Sequence, residues 1–263
     1  MTLVQANLNK KKTNYSAPAL EKGLDIIELL SSEPDGLRAN EIAERLKKTY
    51  SELFRMLVVL EQRSFIECVS DTDKFKLSIK FFSLANRFTP LKKLHNVSTP
   101  TLRELAFEIE QSCHIVAFYS GEGHVVVQQD PISDRIFSVR LGSTVSMLDT
   151  CSGKIILSNA SDIQKSGMLK LMKDKYSSDL INQCLTSIKS LKKHSLLKLP
   201  SKQVHGVCDI GYPVFDSSGE ILAALVVPFM EFLDGSNRLN LDLASDYVRK
   251  AAEKISYDFG YEK

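Results

Sequence analysis

Residues 36–77 read GLRANEIAERLKKTYSELFRMLVVLEQRSFIECVSDTDKFKL, and the spacing of their apolar positions decides the fold. Ile42, Ala43 and Leu46 predict a short helix over about residues 39–47. Thr49-Tyr50-Ser51-Glu52 matches a capping box: Thr49 receives the amide of Glu52, and Glu52 reaches back to the amide of Thr49. At 100° per residue, Leu53, Met56, Leu57 and Leu60 then share one face of a second helix. Ser51, Arg55 and Gln62 fall opposite with Val58 beside them, and Tyr50 and Phe54 lie on a flank. Two short strands follow, residues 65–69 and 74–77, around the polar turn Ser70-Asp71-Thr72-Asp73. This is the layout of a winged helix-turn-helix, which lays one helix in the major groove of DNA. Periodicity alone would equally describe a solvated face in any small helical domain; the turn spacing and the strands favour DNA. On that reading Arg55 reaches a phosphate or a guanine edge, Ser51 either kind of acceptor, and Val58 a thymine methyl. Lys74 and Lys76, one pleat apart, can touch phosphates, whereas Asp71 and Asp73 repel phosphate from the turn.

Upstream, Leu20, Leu24, Ile27 and Leu30 form an apolar stripe that predicts a helix from Pro18 to about Ser31, with Ser16 as N-cap. Glu33-Pro34-Asp35-Gly36 ends it. Residues 1–15, with Lys10, Lys11 and Lys12, read as a disordered basic tail. Downstream, Ile79, Phe82, Leu84, Phe88, Leu91 and Leu94 keep helical spacing. They predict a linker helix over residues 80–97 that also packs on a second subunit, or else an extra helix of the first domain. The winged domain is thus expected over residues 16–79.

A chain of 263 residues suits two domains, and 43% hydrophobic with 25% charged residues is ordinary for a globular protein. No run approaches the roughly 20 apolar residues that span a bilayer, and the N-terminus lacks the apolar core of a signal peptide. Cys68, Cys113, Cys151, Cys184 and Cys208 are scattered, odd in number and without a CxxC pair. They argue against a disulfide framework or a cysteine-built zinc site and point to a reducing cytoplasm. Residues 1–97 carry 16 Lys and Arg against 12 Asp and Glu, and the remainder carries 18 against 20. The basic end is the end with the helix-turn-helix pattern, as phosphate affinity requires.

From Ser98 the pattern becomes α+β. Leu102, Leu105, Ala106 and Ile109 mark a helix. Strands are expected at residues 114–119, 124–129 and 136–141, the first two joined by Ser120-Gly121-Glu122-Gly123. Thr150-Cys151-Ser152-Gly153 opens a helix, and two more run over residues 162–172 and 178–193. Strands at about 195–198, 207–215 and 221–229 and a closing helix at 237–259 complete residues 98–263. Hairpins flanked by helices imply a mainly antiparallel sheet with helices on its faces.

SAPALEKGLDIIELL, GLRANEIAERL, SELFRMLVVLEQRSFIE and KFKLSIKFFSLANRF together resemble the DNA-binding half of the IclR family of bacterial transcription regulators. FSVRLGS, TCSGKIIL and GVCDIGYPVFDSSGEILAALVVP resemble its effector-binding half. The similarity runs in order from about Ser16 to Phe259. It implies a winged helix domain, a linker helix, a GAF-like ligand domain, and homodimers or homotetramers on palindromic double-stranded operators. By position it implies DNA contacts from the start of the third helix, Tyr50, Ser51, Glu52, Phe54 and above all Arg55. Arg38 stands where many members open helix two with Ser or Thr, which weakens a cap or adds a phosphate contact. The effector is implied to lie beneath the helix opening at Thr150, Cys151 and Ser152, whose amides and dipole favour an anion such as a carboxylate. Asp209, Val226 and Pro228 replace a Cys and two Ser used by members that sense small keto acids, and Leu199 falls where an acidic residue often stands. These departures imply a larger or partly apolar ligand, aromatic or hydroxylated, with Asp209 accepting a donor. Met147, Leu148, Ile210, Tyr212 and Phe229 are further wall candidates.

The resemblance implies a regulator without a cofactor, metal or catalytic residue. Two other readings stay open on residues alone. A hydrolase would use Cys151, whose place at a helix N-terminus lowers a thiol pKa, or a metal on His205, Cys208 and Asp209. Cys113 and His114, neighbours on a strand, point to opposite faces and cannot pair. A second alternative is a DNA-binding protein whose second domain only oligomerises.

Overall fold

The computed structural model describes residues 16–85, 87 and 89–262. The tail expected over residues 1–15, and Phe88 of the linker pattern, lie outside them. The described residues divide into two compact units at residues 92 and 93.

The first unit runs α1 (Pro18–Ser31), β1 (Leu37–Arg38), α2 (Ala39–Arg45), α3 (Tyr50–Gln62), β2 (Ile66–Val69), β3 (Lys74–Leu77) and α4 (Lys80–Ala85). Its core gathers Ile26, Leu30, Leu37, Ile42, Ala43, Leu53, Leu57 and Ile66. The three strands pair antiparallel in the order β1-β3-β2, and Phe75 and Leu77 of β3 pack inward, which turns Lys74 and Lys76 outward. Two details of α1 differ from the sequence reading. Ala17, not Ser16, is the N-cap; Ser16 Oγ and the amide of Ala17 instead reach Glu21, at 3.2 and 3.3 Å. The core takes Ile26 and Leu30, while Leu20 and Leu24 stay 63% and 48% exposed. Of the predicted stripe, Leu30 enters the core and Ile27 is half-buried, while its N-terminal half, Leu20 and Leu24, is exposed.

The expected linker helix is broken. Its first part is α4, whose Phe81 packs on Phe65 with ring centroids 5.3 Å apart. Its second part is continuous with the next predicted helix, giving α5 (Thr89–Ile109) with Pro100 inside. The second unit then runs β4 (Cys113–Tyr119), β5 (Glu122–Gln129), β6 (Thr144–Val145), α6 (Cys151–Asn159), α7 (Asp162–Met172), α8 (Ser178–Ile188), β7 (Leu197–Pro200), β8 (Val207–Phe215), β9 (Ile221–Met230) and α9 (Leu241–Asp258). One antiparallel sheet, ordered β6-β5-β4-β9-β8-β7, carries it. Residues of α5 and α9 pack on one face, from Leu102 and Ile109 to Val248 and Ile255. Residues of α6, α7 and α8 pack on the other, including Ile155, Met168 and Ile181. The β4–β5 hairpin closes through Ser120 and Gly121, both at positive φ (49° and 92°), as a two-residue hairpin turn requires.

Two prolines sit deep in this sheet, at places where a neighbouring strand has ended. β4 pairs with β9 only as far as Val226, so Pro228 is bordered by β8 alone. β7 pairs with β8 only as far as Gly211, so Pro213 is bordered by β9 alone. Neither need break a ladder. Where β4 stops, the side chain of Gln111 substitutes for a strand, donating to Met230 O at 3.2 Å and accepting from its amide at 3.1 Å. The strand expected at residues 136–141 does not form; residues 131–141 are irregular, and on the side of β5 away from β4 the two-residue β6 pairs instead. Its apolar alternation serves another purpose, described below.

Candidate functional site

α3 begins as its sequence requires. Thr49 N donates to Glu52 Oε2 at 2.9 Å and Glu52 N donates to Thr49 Oγ1 at 3.4 Å. Leu53 and Leu57 are buried, and Met56 and Leu60 pack beside them. Ser51, Arg55 and Gln62 are exposed and Val58 is half-buried. Arg55 makes no ion pair or hydrogen bond within the described residues. Tyr50 and Phe54 are exposed with ring centroids 5.5 Å apart, forming an apolar shoulder beside Arg55.

Three of the sequence candidates have other partners. Glu52 also accepts from Lys22 of α1 at 3.0 Å. The amide of Thr49 and the Lys22 ammonium hold its carboxyl down at about 2, so Glu52 caps the helix and ties it to α1 rather than facing outward as a reader. Arg38 has only half a capping box: its amide donates to Glu41 Oε2 at 2.7 Å, and its Nε donates to Thr72 O at 3.1 Å. A guanidinium has no acceptor to complete the cap; it pins the wing turn to the start of α2. Lys76 pairs with Glu67 at 3.2 Å, whereas Lys74 has no ion pair within the described residues.

In the second unit, a cavity of about 70 Å³ lies where α6 meets the sheet. Its floor is His114 of β4, Asp209 of β8, and Val226 and Pro228 of β9; its wall is Asp149, Thr150, Cys151 and Ser152. The irregular stretch supplies Phe137 and Val139, and the turn after β7 supplies Ser201, Lys202, Gln203 and Val204. Thr150 Oγ1 accepts from the amide of Gly153 at 3.1 Å. The amides of Cys151 and Ser152, which no helix satisfies internally, stand in the cavity wall. Two glycines bring α6 this close. A Cβ on Gly211 would lie 2.4 Å from Ile155 Cδ1 and 2.8 Å from Cys151 Sγ, and one on Gly153 would lie 2.4 Å from Met147 O.

Of the wall candidates, Thr150, Cys151, Ser152, Asp209, Val226 and Pro228 meet at this cavity. Ile210, Tyr212 and Phe229 do not, because successive strand residues alternate faces; all three belong to the core beneath α5 and α9. Tyr212 is held there by hydrogen bonds from its hydroxyl to His194 O (2.9 Å) and Glu253 Oε1 (3.2 Å). Met147 is fully buried under α6, and Leu148 lines a separate recess beside Tyr176 and Leu180. Phe137, Val139, Val226 and Pro228 give the cavity the partly apolar lining that the substitutions implied.

His114 is the residue the sequence reading missed. It is 5% exposed, and its Nδ1 is buried without a hydrogen-bond partner in the described residues. Burial pushes its pKa down to about 4, so the imidazole is neutral at pH 7. The signal was there: a lone histidine in the apolar strand CHIVAFY. Asp209 also has no hydrogen bond or ion pair within the described residues, and burial pushes its carboxyl up to about 6. Burial raises the Cys151 thiol well above its ordinary value, and it donates to Leu197 O at 3.8 Å. It is held as a thiol, not the thiolate that a nucleophile requires. Among the described residues, no group of three or more His, Cys, Asp or Glu is placed to hold a metal ion. Cys208 and Asp209 point to opposite faces of β8.

A capped, outward-facing helix in a winged unit, carried in one chain with a GAF-like domain that holds a polar cavity, defines a transcription regulator. The sequence profile of the IclR helix-turn-helix domain matches residues 19–69, and that of the bacterial transcriptional regulator IclR C-terminal domain matches residues 91–257. The chain belongs to the IclR family of bacterial transcription regulators. It is 22% identical to the transcriptional regulator KdgR of Escherichia coli over 97% of this chain and 98% of that protein. It is 25% identical to BhcR of Paracoccus denitrificans over 93% of this chain and 88% of that protein. An IclR homolog from Microbacterium hydrocarbonoxydans, solved in complex with 4-hydroxybenzoate, superposes with a TM-score of 0.71 at 15% identity, covering 92% of this chain and 98% of that one. Thermotoga maritima IclR gives 0.64 at 21% identity, over 92% and 98%. At such identities the solved structures attest the fold. The family and its named relatives are transcriptional regulators, not enzymes.

Proposed function

We propose that this regulator binds palindromic operators as a homodimer or homotetramer in the cytoplasm, and that a small organic acid in the α6 cavity modulates its operator affinity. The observation that carries the DNA half is the outer face of α3, where Arg55 is exposed and uncommitted beside Ser51, Val58 and the Tyr50–Phe54 shoulder. Arg55 reads a base edge or holds a phosphate, and Lys74 and Lys76 add wing contacts. Arg38 and Glu52 act indirectly, by fixing the wing and the start of α3. Self-association is supported by the exposed stripe of Leu20 and Leu24, because apolar side chains aligned away from their own core favour a partner surface. Effector sensing is supported by the amides at the start of α6 beside Lys202, by the buried His114 Nδ1 without a partner among the described residues, and by the half-buried Asp209 carboxyl on the same floor. The relative solved with 4-hydroxybenzoate holds an acid.

Fluorescence anisotropy with inverted repeats from the region upstream of its own gene tests this reading. Binding should weaken steeply between 50 and 200 mM salt, by roughly 10³-fold if about six phosphates are contacted. No salt-sensitive preference for any inverted repeat would overturn it.

A further inference from the structure

The cavity floor specifies its guest more narrowly. His114 and Asp209 are both on the α6 face of the sheet, but on different strands. His114 lies opposite Val226 of β9, and Asp209 lies opposite Pro228. Two inter-strand spacings of about 4.8 Å separate β4 from β8, so a single ligand group cannot serve both.

Each side chain restricts what meets it. As a carboxylate Asp209 is an acceptor, so it pairs with a donor and disfavours a keto oxygen. An ammonium would also donate; Asp149 in the same wall attracts it, while Lys202 and the positive end of α6 repel it and favour a neutral donor. A neutral imidazole offers one N–H and one lone pair. A hydroxyl, which both donates and accepts, satisfies His114 in either tautomer. Leaving such a buried group unpaired costs about 1–3 kcal/mol, which a matching ligand recovers. Size narrows the class again: about 70 Å³ is less than half of the about 150 Å³ that accommodates benzene in an engineered protein cavity.

We infer that the effector is a compact aliphatic hydroxy acid with at least two hydroxyl groups, one bonded to His114 and another to Asp209, its carboxylate resting on the first turn of α6. This rests on the reading of the cavity as an effector site. His114 and Asp209 are then the residues that set specificity, selecting against keto acids and aromatic acids.

Matched pairs test it on the full-length protein by isothermal titration calorimetry: tartrate against succinate and glycerate against propionate, with pyruvate and 4-hydroxybenzoate as the keto and aromatic arms. At least one hydroxy acid should bind, and its deoxy counterpart should bind about 30-fold more weakly, the loss of two hydrogen bonds. His114→Leu and Asp209→Asn should each weaken the hydroxy acid about tenfold and leave the deoxy acid unchanged, with apo melting temperatures showing that the variants fold. The comparison in the unmodified protein needs no variant. If the deoxy acids bind as tightly, or if only pyruvate or 4-hydroxybenzoate binds, the inference fails and the sensor reading stands. If no acid binds or moves operator affinity, both fail.

Discussion

Arg55 and Asp209 are both uncommitted, and each gives a distinct measurable outcome. Arg55→Ala should cost about 1–3 kcal/mol of operator affinity. Its melting temperature should be unchanged, because the side chain has no partner within the described residues. Asp209 carries a pH signature. Its carboxyl titrates near 6 in the folded chain, against about 3.8 when unfolded, so the folded state holds the proton more tightly. That contribution to stability is fully present below about pH 3.8 and is lost as pH rises through 6. Asp209→Asn removes the loss. Discounted for partial exposure, the gain is about 1 kcal/mol, and calorimetry should show a melting temperature about 2–4 °C higher at pH 8 and no gain near pH 4. Sequence alone showed Asp209 as a departure from its surroundings but not His114. Spotting a cavity residue requires knowing which face of the strand is inward, and a strand's own sequence does not reveal which helix covers which side.

At the scale of elements, the first unit was nearly legible because its signals are local. A cap, a turn and a 3.6-residue period all lie within a few residues of one another. Thr49→Ala should accordingly cost about 1 kcal/mol of the first unit's stability in denaturant titrations. The second unit was legible as a list of strands and helices but not as a site. Ile210, Tyr212 and Phe229 were wall candidates, and the pleat sends them to the opposite core. Phe137 and Val139 alternate like a strand yet gain no strand partner, because β6 closes the sheet edge at Thr144. Gly211 looked like an ordinary strand glycine, though the close approach of α6 depends on it. Gly211→Ala should destabilise by about 1–3 kcal/mol through overpacking against Ile155 and Cys151, and thermal melts of the variant check it.

At the scale of the molecule, the stripe on α1 is the main test. Leu20→Asp with Leu24→Asp removes no core contact, so circular dichroism of the variant should keep the native secondary structure. Sedimentation should show dissociation toward monomer, and operator affinity should fall with it, because a half-site bound alone loses the advantage of linkage. An unchanged sedimentation coefficient would remove α1 from any interface. Helical spacing made this stripe visible in sequence but not the surfaces it meets, since a period says which residues align and not what they align against. Gly211 has a wider bearing. With no atom there to act as a spacer, the first turns of α6 are seated directly on the strand, and that side of the chamber is a fixed wall. The rest of the rim is built from non-helical chain, the segment that carries Phe137 and Val139 and the turn that carries Lys202 and Gln203. On the proposed effector reading, those two segments would govern how fast a guest enters, and the floor which guest stays.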